Sequence, residues 1–201
     1  MRELFHSVFL RILCTFRLMK KLKPILIIVA ILYAILFLDW LLPIKINSFG
    51  LIPRTQFGLI GIITSPFLHG NLLHLNSNAI PLIVMLITLI TFYDKKVWKI
   101  VVGITLLSGI LLWIFGRSAN HIGASGMIYG LAAFLVFNGV MERNLKSIII
   151  SIVIAITYSG FVYGLTPFTT RSGVSWDGHL FGAISGVLVS YYLSRKGSKT
   201  N

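Results

Sequence analysis

Ser125 and His179 stand far apart in the chain, yet each heads a run of small residues, and together they are a candidate nucleophile and base. Ser125 lies in Gly123-Ala124-Ser125-Gly126, where flanking glycines let another chain come close to the hydroxyl. A helix starting there leaves first-turn N–H groups free for an anion. Tyr129 follows one turn later on the same face. His179 heads a second series, in which Gly178, Gly182, Gly186 and Ser190 recur every four residues, while Gly126 and Gly130 offer a matching face. Packing these faces together brings imidazole and hydroxyl within hydrogen-bond reach, as a serine nucleophile and its general base require. The same spacing also describes a packing seam of small residues with a polar cap, and spacing alone leaves both readings open. His74 and Asn78, four apart, share a helix face and converge on one point.

Metal chemistry has little support. His69 and His74 are five apart and would point about 140° from one another on a helix. There is no His-Glu-x-x-His pair, and only Asp177 stands beside the histidines His69, His74, His121 and His179. A single cysteine, Cys14, excludes an internal disulfide framework and any cysteine-based metal cluster. No metal and no cofactor are expected. His121, four residues before Ser125, reads as a loop histidine.

The elements that must position these groups follow from composition. Of 201 residues, 56% are hydrophobic types and 11% are charged, with a mean hydropathy of +0.90. A water-soluble fold needs more polar surface than that, and a disordered chain far less apolar content. Six stretches carry about 20 mostly apolar residues, enough to cross a hydrocarbon core of roughly 30 Å. They run from Pro24 to Pro43, His69 to Tyr93, Ile100 to Gly116, Ser125 to Met141, Ser147 to Leu165 and Asp177 to Leu193.

The 18 Lys and Arg against 5 Asp and Glu would suggest nucleic acid in a soluble protein, but a membrane chain keeps basic loops on the cytoplasmic side. No nucleic-acid partner is expected. Only Lys45, Arg54, Arg117 and Arg171 fall on one side of the six-span arrangement; the other fourteen fall on the side of both termini, which are therefore expected in the cytoplasm. All four histidines named above then lie near the outer leaflet, contributed by three different spans. Residues 1–23 are read as a basic cytoplasmic segment, either a helix on an anionic leaflet or a solvated tail, and not as a cleavable signal. The connection from Leu165 to Trp176 is placed to act as a lid before His179. Tyr158, Phe161 and Tyr163 are placed either to close a sideways opening against the second span or simply to anchor the fifth span at the membrane interface.

At these residues the sequence resembles the rhomboid family of intramembrane serine proteases, in its basic six-span bacterial form. His69 with His74-x3-Asn78, Gly123-Ala124-Ser125-Gly126 with Tyr129, and His179-x2-Gly182-x3-Gly186 match the family's motifs on spans 2, 4 and 6. The resemblance implies a dyad in which Ser125 is the nucleophile and His179 the base, with Tyr129 packed on the imidazole. His74 and Asn78 would join the Ser125 backbone N–H in an oxyanion hole. The chain departs from the family pattern between Lys45 and Ser65, which holds Arg54 but no Trp-Arg pair, and has Ser65 where a further histidine is frequent.

These readings give an all-α, polytopic membrane protein, a six-transmembrane-helix rhomboid-like bundle over residues 24–193 with a cytoplasmic tail over 194–201. The expected activity is that of a serine endopeptidase of the cell membrane, cutting single-span membrane proteins near the outer face of their helices. Its expected partners are transmembrane substrates and lipid. Gly126, Gly182 and Gly186 are expected to pack the helices that carry the dyad. A Ser–Lys dyad lacks a lysine within any span, and Asp39 and Asp177 lie too near span ends for an aspartyl pair. The alternatives are a catalytically inactive rhomboid-like protein that binds membrane helices, and a small transporter. The latter is disfavoured by the absence of a two-halves repeat.

Overall fold

The computed structural model describes residues 2–169 and 173–197. Met1, the lid residues Thr170, Arg171 and Ser172, and the tail residues 198–201 lie outside the described residues, as do the side chains of residues 2–18, His6 and Cys14 included. The protein is all-α: seven α-helices and five short 3-10 helices, with no strand among the described residues beyond an isolated bridge between Leu51 and His121.

Helix α1 runs unbroken from Arg2 to Leu41 through Pro24, so the change from basic to apolar sequence at residue 24 is not a helix boundary. Its apolar part, Met19–Leu41, is long enough to cross a membrane. The segment that follows is a chain of short turns containing α2 (Gly61–Thr64), and side-chain bonds pin it down. Asn47 donates to the Asp39 carboxylate and to the His69 carbonyl, while Arg54 donates to the carbonyls of Ile114 and Gly116.

Helix α3 spans Leu72–Tyr93, three residues later than the apolar run suggests, because Asn71 caps it by accepting from the His74 N–H at 2.8 Å. Helices α4 (Val97–Phe115) and α5 (Ser125–Glu142) follow. Helix α6 (Leu145–Thr157) is capped by Asn144 and bends by 63° into a 3-10 segment, Ser159–Leu165, so the expected fifth span is broken. Helix α7 covers Trp176–Gly197.

By length and composition four helices qualify as membrane spans, and α6 with its bent extension makes a fifth. Helix α7, expected as the sixth, is less apolar because small and polar residues occupy the face it buries. It packs chiefly against α5 and α4. Leu131, Phe134 and Leu135 of α5 are buried at the centre, and α1 attaches to α3 at the edge through Ile25, Leu32 and Leu36. Exposed aliphatic side chains such as Leu73, Ile80 and Ile156 give the outer surface the character of a multi-pass membrane protein.

Candidate active site

The contact between α5 and α7 is made backbone to backbone. A Cβ on Gly182 would collide with the Gly126 carbonyl oxygen, and one on Gly186 with the Gly130 carbonyl oxygen. A Cβ on Gly126 would lie 3.0 Å from the Gly178 carbonyl oxygen. Only hydrogen fits at these positions, so the helices approach as closely as polypeptide allows. Ser125 is the first residue of α5 and His179 lies in the first turn of α7, so the seam brings them together at one end.

His179 Nε2 lies 2.8 Å from Ser125 Oγ, and His179 Nδ1 lies 2.9 Å from the Gly164 carbonyl oxygen. A carbonyl only accepts, so Nδ1 carries the hydrogen and the neutral ring presents a bare Nε2 to the Ser125 hydroxyl. The orienting acceptor therefore comes from the 3-10 segment after α6. Asp177 turns away from His179 and takes hydrogen bonds from the Arg117 N–H (2.8 Å) and guanidinium.

The imidazole is also held by stacking. Tyr129 lies parallel to His179, with ring centroids 4.1 Å apart and planes 7° apart, and Phe161 covers the other face of Tyr129 at 4.5 Å. Phe161 thus stacks on the ring beside the dyad. Tyr158 meets Phe161 edge-on, and Tyr163 is exposed. A Cβ on Gly164 would collide with the Tyr129 hydroxyl, so that segment too needs a glycine to sit this close.

His74 packs against Gly123, where an added Cβ would lie 2.7 Å from the imidazole Nε2; Gly123 has φ +111°, a conformation glycine adopts without strain. Asn78 is buried and donates through Nδ2 to the His74 carbonyl at 2.8 Å, leaving Oδ1 buried without a partner. Sharing a face thus draws Asn78 into its own helix. His69 precedes α3 instead of lying on it, so it does not diverge from His74: the rings meet edge-on at 5.0 Å. A cavity of about 40 Å³ adjoins Ser125 and is lined by Ser65, Thr105, Ser108, His121 and Ser175, among others. Its lining mixes these polar groups with apolar ones such as Leu51, Ile62 and Met127, and it has room for water.

His121, expected in a loop, is buried. Its Nδ1 lies 2.7 Å from Ser175 Oγ and its Nε2 2.9 Å from the Arg117 carbonyl. Neither this cluster nor Gly164 was singled out from the sequence. The available signal was the set of polar residues flanking both site motifs: Arg117 and His121 before Ser125, Ser175 and Asp177 before His179.

Residues 56–196 match the family model described as the rhomboid domain. The chain belongs to the rhomboid family. The matched region begins after α1 and holds every site residue named above. An uncharacterized protein of Mycobacterium tuberculosis (strain H37Rv) is 38% identical over 179 residues, covering 85% of this chain and 74% of its own length. A Mycobacterium leprae protein, also uncharacterized, is 35% identical over 184 residues, covering 88% of this chain and 72% of its own length. A protein of Acanthamoeba polyphaga mimivirus, provisionally named a rhomboid protein, is 27% identical over 154 residues, covering 74% of this chain and 84% of its own length.

Proposed function

We propose that this rhomboid is an intramembrane serine endopeptidase working through a Ser125–His179 dyad. The observation that carries the reading is the 2.8 Å contact from Ser125 Oγ to an imidazole whose other nitrogen is committed to the Gly164 carbonyl. His179 takes the Ser125 proton as Oγ attacks the scissile carbonyl, then returns it to the departing amine. Water, for which the adjoining cavity has room, hydrolyses the acyl-enzyme by the same route. The oxyanion is held by the Ser125 N–H in the free first turn of α5, with His74 and Asn78 as side-chain donors; each such donor is worth about 3 kcal/mol of barrier. Tyr129 takes the place of a carboxylate by holding the imidazole plane.

Substrates on this reading are single-span proteins whose helices unwind readily at the cut, since a helical peptide bond is shielded. The fourteen-to-four distribution of basic residues supports a cell-membrane location with both termini in the cytoplasm and the site near the outer face. The test is labelling of purified protein with a serine-directed fluorophosphonate beside cleavage of a transmembrane substrate. Wild type should label and cut, while Ser125→Ala and His179→Ala should do neither and remain folded. Cleavage by Ser125→Ala at the wild-type rate would end the reading.

A further inference from the structure

The glycine seam fixes how closely α5 and α7 approach, and Ser125 and His179 sit at its end, where the register of the two helices decides whether they meet. A slide of about 1 Å is enough to break a 2.8 Å hydrogen bond. We propose that His121, Ser175, Asp177 and Arg117 form a positioning lock that sets the register of the α7 head against the approach to α5 and so keeps His179 opposite Ser125. This rests on the protease reading above and names the residues that hold its geometry.

Register carries the argument. His121 stands four residues before Ser125, and Ser175 four before His179. The two hydrogen bonds, His121 to Ser175 and Ser125 to His179, therefore join residues with the same separation of 54, with the residue types exchanged. One turn outward from the dyad a second histidine–serine pair repeats its register. His121 is buried and Ser175 half-buried, and both are held by polar partners.

Those partners make the pair rigid. The Arg117 carbonyl accepts from His121 Nε2, so in the neutral ring Nδ1 takes the Ser175 hydroxyl hydrogen, for which Asp177 Oδ1, 3.1 Å away, competes. Ser175 Oγ also accepts from the Gly178 N–H at 3.2 Å, capping α7. Asp177, two residues into that helix, accepts from the Arg117 backbone and guanidinium, which anchors α7 to the end of α4. On the other side, His121 and Leu51 exchange two backbone hydrogen bonds of 2.8 and 2.9 Å, and the Gly123 N–H donates to the Ser65 carbonyl. The lock is thus tied to the preceding loop as well as to α7.

None of the four residues contacts Ser125 Oγ or His179 Nε2, and although His121 and Ser175 line the cavity beside Ser125, a positioning role falls on turnover rather than binding. With a transmembrane substrate, Ser175→Ala should lower kcat about 10- to 100-fold with KM within about threefold, as a small misplacement of catalytic groups does. Ser175→Thr, which keeps the hydroxyl, should recover to within about threefold of wild type. Combining Ser175→Ala with His121→Ala should cost no more than the worse single change, because the pair acts as one unit. Wild-type kcat in Ser175→Ala, equal losses in the Thr variant, or multiplying losses in the double variant would overturn the lock. Should Ser175→Ala not fold, Arg117→Gln carries the same expectation of lowered kcat at unchanged KM, with wild-type kcat overturning it. If the wild type itself neither labels nor cuts, the protease reading falls and hydrogen exchange judges the lock. Ser175→Ala or Arg117→Gln should then speed exchange of the amides at 177–179, and unchanged exchange would overturn it.

Discussion

Helix α1 turns Leu26, Phe37, Trp40 and Leu41 outward, whereas α7 buries Asp177, His179, Ser185 and Ser190 against its neighbours. The first is apolar enough to be recognised as a span by composition, and the second is not. A helix can thus belong in a membrane because lipid solvates its side chains, or because other helices take lipid's place around it. The helix of the second kind holds His179 of the candidate dyad: its inner face is free to hold groups that lipid would exclude. The matched family region includes α7 and leaves α1 out.

The comparison breaks most sharply at the seam. Gly182→Leu puts a side chain where the Gly126 carbonyl oxygen already sits, and overpacking of this kind costs about 1–3 kcal/mol or more. Cleavage should become undetectable and the thermal midpoint should fall; a Gly182→Leu variant with full activity would show that the seam does not assemble the dyad.

Phe161→Ala removes the outer ring of the stack on Tyr129, a contact of a type worth about 0.5–1.5 kcal/mol. Cleavage in lipid vesicles should slow by about two- to tenfold. Faster cleavage would instead restore the role of a lateral gate that the sequence suggested for this ring.

The smallest effect belongs to α1. Tyr33 donates to Asn76 Oδ1 at 2.6 Å, and hydrogen bonds between membrane helices average about 0.6 kcal/mol. Tyr33→Phe should shift stability by less than about 1 kcal/mol and leave the cleavage rate within about twofold. A larger loss of turnover would show that α1 reaches the site after all.

What the sequence made legible follows the same division. Runs of apolar residues located α3, α4 and α5 to within a few residues, and the four-residue glycine spacing foretold which faces meet. The start of α3 was written in Asn71 rather than in hydropathy. The 63° bend after α6 was hidden because Phe161, Val162 and Leu165 keep the run apolar enough to pass as one span with α6. The Arg117–His121–Ser175–Asp177 cluster joins residues 54 to 60 apart, so the polar residues flanking each motif are visible in sequence but not that they meet. Gly164 acts through its carbonyl, a group that every residue has and that residue type therefore cannot reveal.

That last feature bears on how the site tolerates mutation. An orienting carboxylate is lost with one amide substitution, but a backbone carbonyl has no side chain to delete. Substitution at residue 164 keeps the acceptor and instead drives a new Cβ into the Tyr129 hydroxyl. Damage to the orientation of His179 therefore has to come through displacement of the whole 159–165 segment. Variants that disorient His179 should be found at Gly164, through its missing side chain, as well as among Tyr129, Tyr158 and Phe161, which seat this segment.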